Sequence, residues 1–362
     1  MTLYFPIAVF LFMGVLLGSL RYKTDDCKTY QLYKPKEGFV TAERLYFIFF
    51  LLLFAFLAAM RSADVGNDTK PYINFFNYIC RYGVDNDFYF EKGFQLFCLC
   101  VSKISSDPHY FLMISSIFCY GLLGIYSVLY SSNLYITICL IFCFCFSPMV
   151  NILRQDIAMV ICLFAYQAFK RNNVVVFSTL VLLAMQFHTT ALCMFSLLII
   201  KFMPLRFSRV MILSTIFILV SCLTNMSGMF ANLFSMYDSY FEGDRVGSGW
   251  LGTSVGLFKA VFMYYIVSNN ISVDSKMDRV MYSSFWALII FSALGFQMNL
   301  FNRCGLYFLF ITVAELPNAI ILVKGNKNFY SILFFCAAML VYFFLCLILR
   351  PEWNALVPYK MW

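Results

Sequence analysis

LYFIFFLLLFAFLAAM, residues 45–60, runs without a break into RSADVGNDTKPY, residues 61–72. The first stretch carries no charge and would be about 24 Å long as a helix, close to the roughly 30 Å hydrocarbon core of a bilayer. The second is dense in charged and polar groups. An apolar span that delivers a polar segment to one face of a membrane is the reading that decides the fold, and the rest of the chain repeats the pattern. Hydrophobic residues make up 62% of the 362 residues and charged residues only 12%, where soluble domains hold about a quarter charged. The mean hydropathy is +0.80. Only helices and closed barrels satisfy their backbone in lipid, and the alternating strand pattern of a barrel is missing, so the expected class is an all-α polytopic membrane protein.

Several other classes drop out at this level. The 14 cysteines lie mostly inside apolar runs, as in Ile138-Cys139-Leu140 and Phe142-Cys143-Phe144-Cys145-Phe146, where they act as small apolar fillers. Neither a disulfide framework nor metal-ligand spacing is visible among them. The formal charge of +8 fits a membrane protein whose cytoplasmic loops collect Lys and Arg, and gives no reason to expect nucleic acid. No Walker loop and no dinucleotide fingerprint is present.

Residues 3–20 form a first candidate span, followed by Arg21, Lys23, Lys28, Lys34, Lys36 and Arg44, which places the N-terminus outside and this loop in the cytoplasm. Residues 45–60 return to the outer face, and a first outer loop is expected over 61–107. Within it, residues 93–104 are apolar but give a helix of only about 18 Å, which predicts a re-entrant or surface-lying helix. Further spans are expected near 109–130, 134–150 and 156–169, with Lys170 and Arg171 at an inner turn. The apolar run 174–203 is too long for one untilted span and is interrupted by Gln186-Phe187-His188-Thr189-Thr190. Two short helices meeting at His188 are therefore expected. Beyond them come spans near 210–223, 254–268, 280–298, 304–323 and 329–349, and a second outer loop over 224–253. The whole is read as one polytopic domain, 1–362, with about 12 spans. A rival topology lets residues 93–104 span and keeps 174–203 as one helix, which inverts the middle of the chain. Charge counting does not separate the two, because Lys170 and Arg171 are traded for Lys103 and Arg154. The split arrangement is preferred here because it puts Arg61, Arg154, His188 and Arg303 on one face.

Ionisable groups near membrane depth carry the functional signal. Arg154 sits in Asn151-Ile152-Leu153-Arg154-Gln155-Asp156 between two apolar runs, and Arg303 in Asn299-Leu300-Phe301-Asn302-Arg303 likewise joins two spans. Either is also readable as an interfacial anchor, or Arg154 as a partner of Asp156. Converging arginines suit a diphosphate, since the guanidinium fork binds phosphate oxygens bidentately and keeps its charge. His188, one of 2 histidines, is a candidate general base or a structural hydrogen-bonding group. Asp64 and Asp68, beside Arg61 and upstream of Tyr72, are candidates to orient or deprotonate a sugar hydroxyl. Glu242, Asp244 and Arg245 in the second outer loop have the composition of a saccharide-binding lip, or of an ordinary amphipathic loop.

The order of these motifs resembles a known family. Arg61 with Val65-Gly66-Asn67-Asp68-Thr69 and Tyr72, then Glu91-Lys92-Gly93-Phe94, Leu153-Arg154-Gln155-Asp156, Phe187-His188-Thr189-Thr190, Arg303 with Tyr307-Phe308, and Trp353 with Pro358-Tyr359 together look like the EpsG-like branch of the Wzy polysaccharide polymerases. The resemblance covers nearly the whole chain.

It implies a GT-C-like glycosyltransferase bundle acting without cofactor or metal at the outer face of a bacterial inner membrane. A growing glycan on undecaprenyl diphosphate would be transferred to the non-reducing end of a new lipid-linked repeat unit. A flippase and a chain-length regulator are the implied protein partners. Arg154, Arg303 and Arg61 are expected to hold the diphosphate. His188, with Asp68 and Asp64 behind it, is expected to serve as base. Tyr72, Glu91, Gln155, Tyr307, Glu242, Asp244 and Arg245 are expected at the saccharide. Two other classes stay open: a lipid-linked oligosaccharide flippase, although no internal repeat between halves is apparent, and a membrane O-acyltransferase built around a membrane-embedded His.

Overall fold

The structure, a computed structural model, describes residues 3–24, 42–84, 90–202, 250–268, 276–296, 298–321 and 327–362, with isolated positions between 209 and 216. Among the described residues regular structure is helical, and the one β-type pairing is an isolated antiparallel bridge between Arg61 and Met361. Among the described residues five helical segments are long and apolar enough to cross a membrane: Ala42–Ala59, Pro108–Tyr130, Leu134–Asn151, Leu251–Ser268 and Tyr330–Leu349. The second outer loop, with Glu242, Asp244 and Arg245, and most of the span expected near 210–223 lie outside the described residues.

The chain divides into two compact units. The first comprises Met1–Ile161, Gln186–His188 and Val313–Trp362. Its helices are α1 (Tyr4–Thr24), α2 (Ala42–Ala59), α3 (Thr69–Tyr82), α4 (Lys92–Ser102), α5 (Pro108–Tyr130), α6 (Leu134–Leu140), α7 (Phe146–Asn151) and the first half of α8 (Leu153–Lys170). Local chemistry sets their ends. Asp107 accepts a hydrogen bond from the His109 amide ahead of Pro108 at the start of α5, and Asn133 accepts from the Ile136 amide at the start of α6. Glu43 on α2 adds a carboxylate to the same α6 terminus, accepting from the Leu134 amide at 2.5 Å, where helix dipole and unsatisfied N–H groups favour negative charge. Pro148 has no N–H to give to the preceding turn, and the helix widens over Ile141–Cys145 into a π-turn that carries the span past it. Aromatic packing fills this unit: Phe54 and Phe142 lie 5.4 Å apart, Phe142 and Phe343 4.5 Å, and Phe76 stacks on Phe111 at 4.8 Å.

Two features of this unit shape the site. Helix α4 has 11 residues, or about 17 Å, so it is too short to cross the hydrocarbon core. The C-terminal residues 351–362 fold back onto the polar segment after α2. There Ser62 donates to the Lys360 carbonyl, Trp362 to the Met60 carbonyl and Gly66 to the Ala355 carbonyl, at 2.9, 2.8 and 3.0 Å.

The second unit comprises Cys162–Met185 and Thr189–Thr312. It contains α9 (Val174–Met185), a 3-10 turn over Thr189–Ser196, α10 (Leu197–Ile200), α11 (Trp250–Ser268), α12 (Lys276–Leu294) and the first part of α13 (Asn299–Ile321). Phe291 stacks on Phe308 at 5.3 Å, and the Asn302 amide donates to Thr253 at 3.0 Å. Helix α14 (Lys327–Leu349) belongs to the first unit.

Candidate active site

Arg154 stands in the first turn of α8, a position that disfavours a cation because the unpaired N–H groups and the dipole there are already positive. A carboxylate compensates it. Arg154 Nη1 donates to Glu91 Oε2 at 2.5 Å, and its guanidinium lies 4.0 Å above the Phe90 ring. The Tyr72 side chain, from α3, hydrogen-bonds the same guanidinium. Arg154 keeps 17% of its side chain exposed against 7% for Glu91, and its Nε is buried without a hydrogen bond among the described residues.

Glu91 is shared. Its second oxygen, Oε1, lies 3.2 Å from His188 Nδ1. His188 belongs to the segment Gln186–His188, between α9 and the 3-10 turn, so the long apolar run is broken where that imidazole sits. Gly93 makes the approach possible. The Phe94 amide donates to the Gln186 carbonyl at 3.2 Å, and a Cβ on Gly93 would stand 2.5 Å from that carbonyl oxygen. Glycine at this position therefore lets the start of α4, with Glu91 just ahead of it, press against the segment that carries His188.

Electrostatics follow from these contacts. Burial pushes the Glu91 carboxyl up, but the His188 hydrogen bond, the Arg154 charge and the His188 charge outweigh it and hold the group at about 2, against 4.5 ordinarily. Glu91 is thus a carboxylate at any physiological pH. An ionised carboxylate only accepts, so Nδ1–H of His188 donates to it, which in the neutral imidazole leaves the lone pair on Nε2, the arrangement by which a carboxylate orients an imidazole base. An aromatic wall backs the cluster: Phe75 lies 4.5 Å from Phe90, and Tyr72 and Phe94 are 5.8 Å apart.

The other expected site residues fall in several places. Asp64 is exposed, 3.7 Å from both Lys70 and Lys360. Asp68 occupies the cap position of α3, half-buried, without a capping bond from its side chain. Gln155 is buried. Arg61 is 0% exposed and turned inward, with Nε donating to Thr69 Oγ1 at 3.2 Å and Nη1 to the Ala58 carbonyl. Arg303, half-buried, and Tyr307, buried and 3.1 Å from Thr190 Oγ1, belong to the second unit.

Contacts not anticipated from sequence are the Phe90 face under Arg154 and the Asn151 bracket. Asn151 Oδ1 accepts from the Asn67 amide at 2.6 Å, while its Nδ2 donates to the Ser147 and Asn354 carbonyls at 2.9 and 3.1 Å. The adjacency of Phe90 to Glu91 was a signal available in the sequence; nothing local marked Asn151. Among the described residues no group of three His, Cys, Asp or Glu side chains is placed to hold a metal ion.

Neither curated proteins nor solved structures gave a match to this chain. The model of the EpsG family does, over residues 44–361, a range that takes in Arg61, Glu91, Arg154, His188 and Arg303. With nearly the whole chain inside that match, this protein belongs to the EpsG family.

Proposed function

We propose that this protein is a polysaccharide polymerase of GT-C-like architecture with about 12 spans. It joins undecaprenyl-diphosphate-linked oligosaccharide repeat units at the outer face of a bacterial inner membrane and transfers the growing glycan to the non-reducing end of a new unit. Membership of the EpsG family supports a polymerase-like activity. The observation that carries the mechanism is the cluster of Arg154, Glu91 and His188, drawn from three distant segments into direct contact.

In this reading His188 Nε2 takes the proton of the acceptor hydroxyl as that oxygen attacks the anomeric carbon of the donor, and Glu91 stabilises the imidazolium that results. The bond from the anomeric carbon to the diphosphate oxygen breaks, and the leaving undecaprenyl diphosphate carries the electron pair. Arg154 stabilises the developing charge. Tyr72 hydrogen-bonds Arg154 at the saccharide side, and Asp68 and Asp64 are the reserve carboxylates. The energy resides in the sugar-diphosphate bond, so no cofactor enters. A flippase that delivers repeat units and a chain-length regulator are the partners such a reaction calls for.

The test is a gel of the surface glycan from the source cell lacking this gene, beside wild type and strains complemented with wild-type, Arg154→Ala or His188→Ala protein. Collapse of a long ladder to one repeat unit on its anchor, restored by wild type and not by the variants, is the expected result. Loss of all surface glycan would indicate a flippase or an earlier step instead, and an unchanged ladder with altered acylation an acyltransferase.

A further inference from the structure

Asp156 follows Arg154 by two residues on α8, which turns the two side chains about 200° apart around the helix axis. Arg154 meets Glu91. Asp156 points the other way and is 0% exposed, and neither carboxylate oxygen has a hydrogen-bond partner among the described residues. Arg61, also 0% exposed, is in electrostatic reach of it, with Nη2 making no hydrogen bond among the described residues. Tyr120 on α5 completes the group: its hydroxyl is buried, has no partner among the described residues and feels both charges. Four buried polar atoms of the first unit, on side chains within electrostatic reach of one another, are thus left without hydrogen bonds among the described residues. Buried polar atoms are almost always paired, and water making two to four hydrogen bonds is the usual partner where side chains do not meet directly.

We propose that Asp156 is the counter-ion of Arg61, reached across bridging water that also takes the Tyr120 hydroxyl, and that this pair positions the start of α8 so that Arg154 faces Glu91. Arg61 is then an anchor, not a diphosphate ligand. Its other bonds agree with that role. Through Thr69 Oγ1, which in turn donates to the Val65 carbonyl at 2.6 Å, it ties the end of α2 to the start of α3, and the Arg61–Met361 bridge closes the C-terminal residues over it. One short motif on α8 therefore carries two jobs on opposite faces, a site arm at 154 and an anchor at 156. Removing one member of a buried charge pair leaves the other uncompensated, which costs far more than removing both.

The test is a double-mutant cycle of Asp156→Asn and Arg61→Gln in the purified full-length chain, read first as thermal unfolding in detergent micelles. Each single variant is expected to lower the midpoint by several degrees, and the double variant to lower it less than the sum of the two. Additive losses would overturn the pairing. The second reading is kinetic and rests on the polymerase assignment: at a temperature where the single variants are folded, kcat for glycan extension falls with KM for the lipid-linked oligosaccharide unchanged, because neither residue touches substrate. A raised KM in Arg61→Gln would overturn the anchor role. The unfolding cycle does not depend on the reaction, so failure of the polymerase reading leaves it interpretable.

Discussion

Glu91 is one carboxylate asked to serve two partners, the Arg154 guanidinium on one oxygen and the His188 imidazole on the other. Its folded-state pKa is depressed from 4.5 to about 2, so the stability it contributes is present above pH 4.5 and is lost as pH falls through about 2. The shift corresponds to on the order of 3 kcal/mol. Glu91→Gln should therefore unfold at a clearly lower temperature than wild type at pH 6, with the gap narrowing as both are titrated toward pH 2. A gap that stays constant with pH would remove the ionic explanation. At Arg154, substitution by Lys keeps the charge but loses the planar fork, and a loss of about 100-fold in kcat/KM for glycan extension is expected. Wild-type turnover in Arg154→Lys would mean that a point charge suffices there.

Among the elements, the start of α4 and the break at 186–188 depend most closely on each other. Gly93→Ala would place a methyl group 2.5 Å from the Gln186 carbonyl oxygen, and that carbonyl is held by the Phe94 amide. The overlap is relieved by moving α4 away, which draws Glu91 from His188. The expected outcome is loss of the long glycan ladder with a smaller loss of thermal stability, measured in the same strains and on the purified chain. Gly121→Ala on α5 is the matched control: a Cβ there meets nothing within 4 Å, and alanine favours helix by about 1 kcal/mol over glycine. It should leave both readouts at or above wild type.

For the whole molecule, the C-terminal residues act as a strap across the polar segment that follows α2. Besides the backbone pairs, Asn67 Nδ2 donates to the carbonyls of Glu352 and Trp353 at 3.2 and 2.9 Å, Tyr4 donates to the Leu356 carbonyl at 3.1 Å, and the Trp362 ring lies 5.5 Å from His109. Ending the chain at residue 350 removes all of these at once and uncovers Arg61. Such a variant should unfold at a lower temperature and be cut first by protease within 61–72, although no strap residue belongs to the Arg154 cluster. Wild-type protease resistance would show that the strap is dispensable.

Composition and hydropathy alone determined that this is a helical membrane protein, because a chain this poor in charge has too few polar groups to face water and must satisfy its backbone within each segment. They also marked Arg154 and His188, since an ionisable group that interrupts an apolar run stands out against its neighbours. Which partners those groups take was decided only by tertiary structure. Glu91 lies 63 residues from Arg154 and 97 from His188. No local pattern encodes which of the many carboxylates meets them; a glycine-sized gap between α4 and Gln186 does. The same holds for Arg61 and Asp156. In sequence Arg61 reads as an arm of the site and Asp156 as a neighbour of Arg154, and only the packing of α2, α5 and α8, with the C-terminal strap across Arg61, buries both within electrostatic reach of each other.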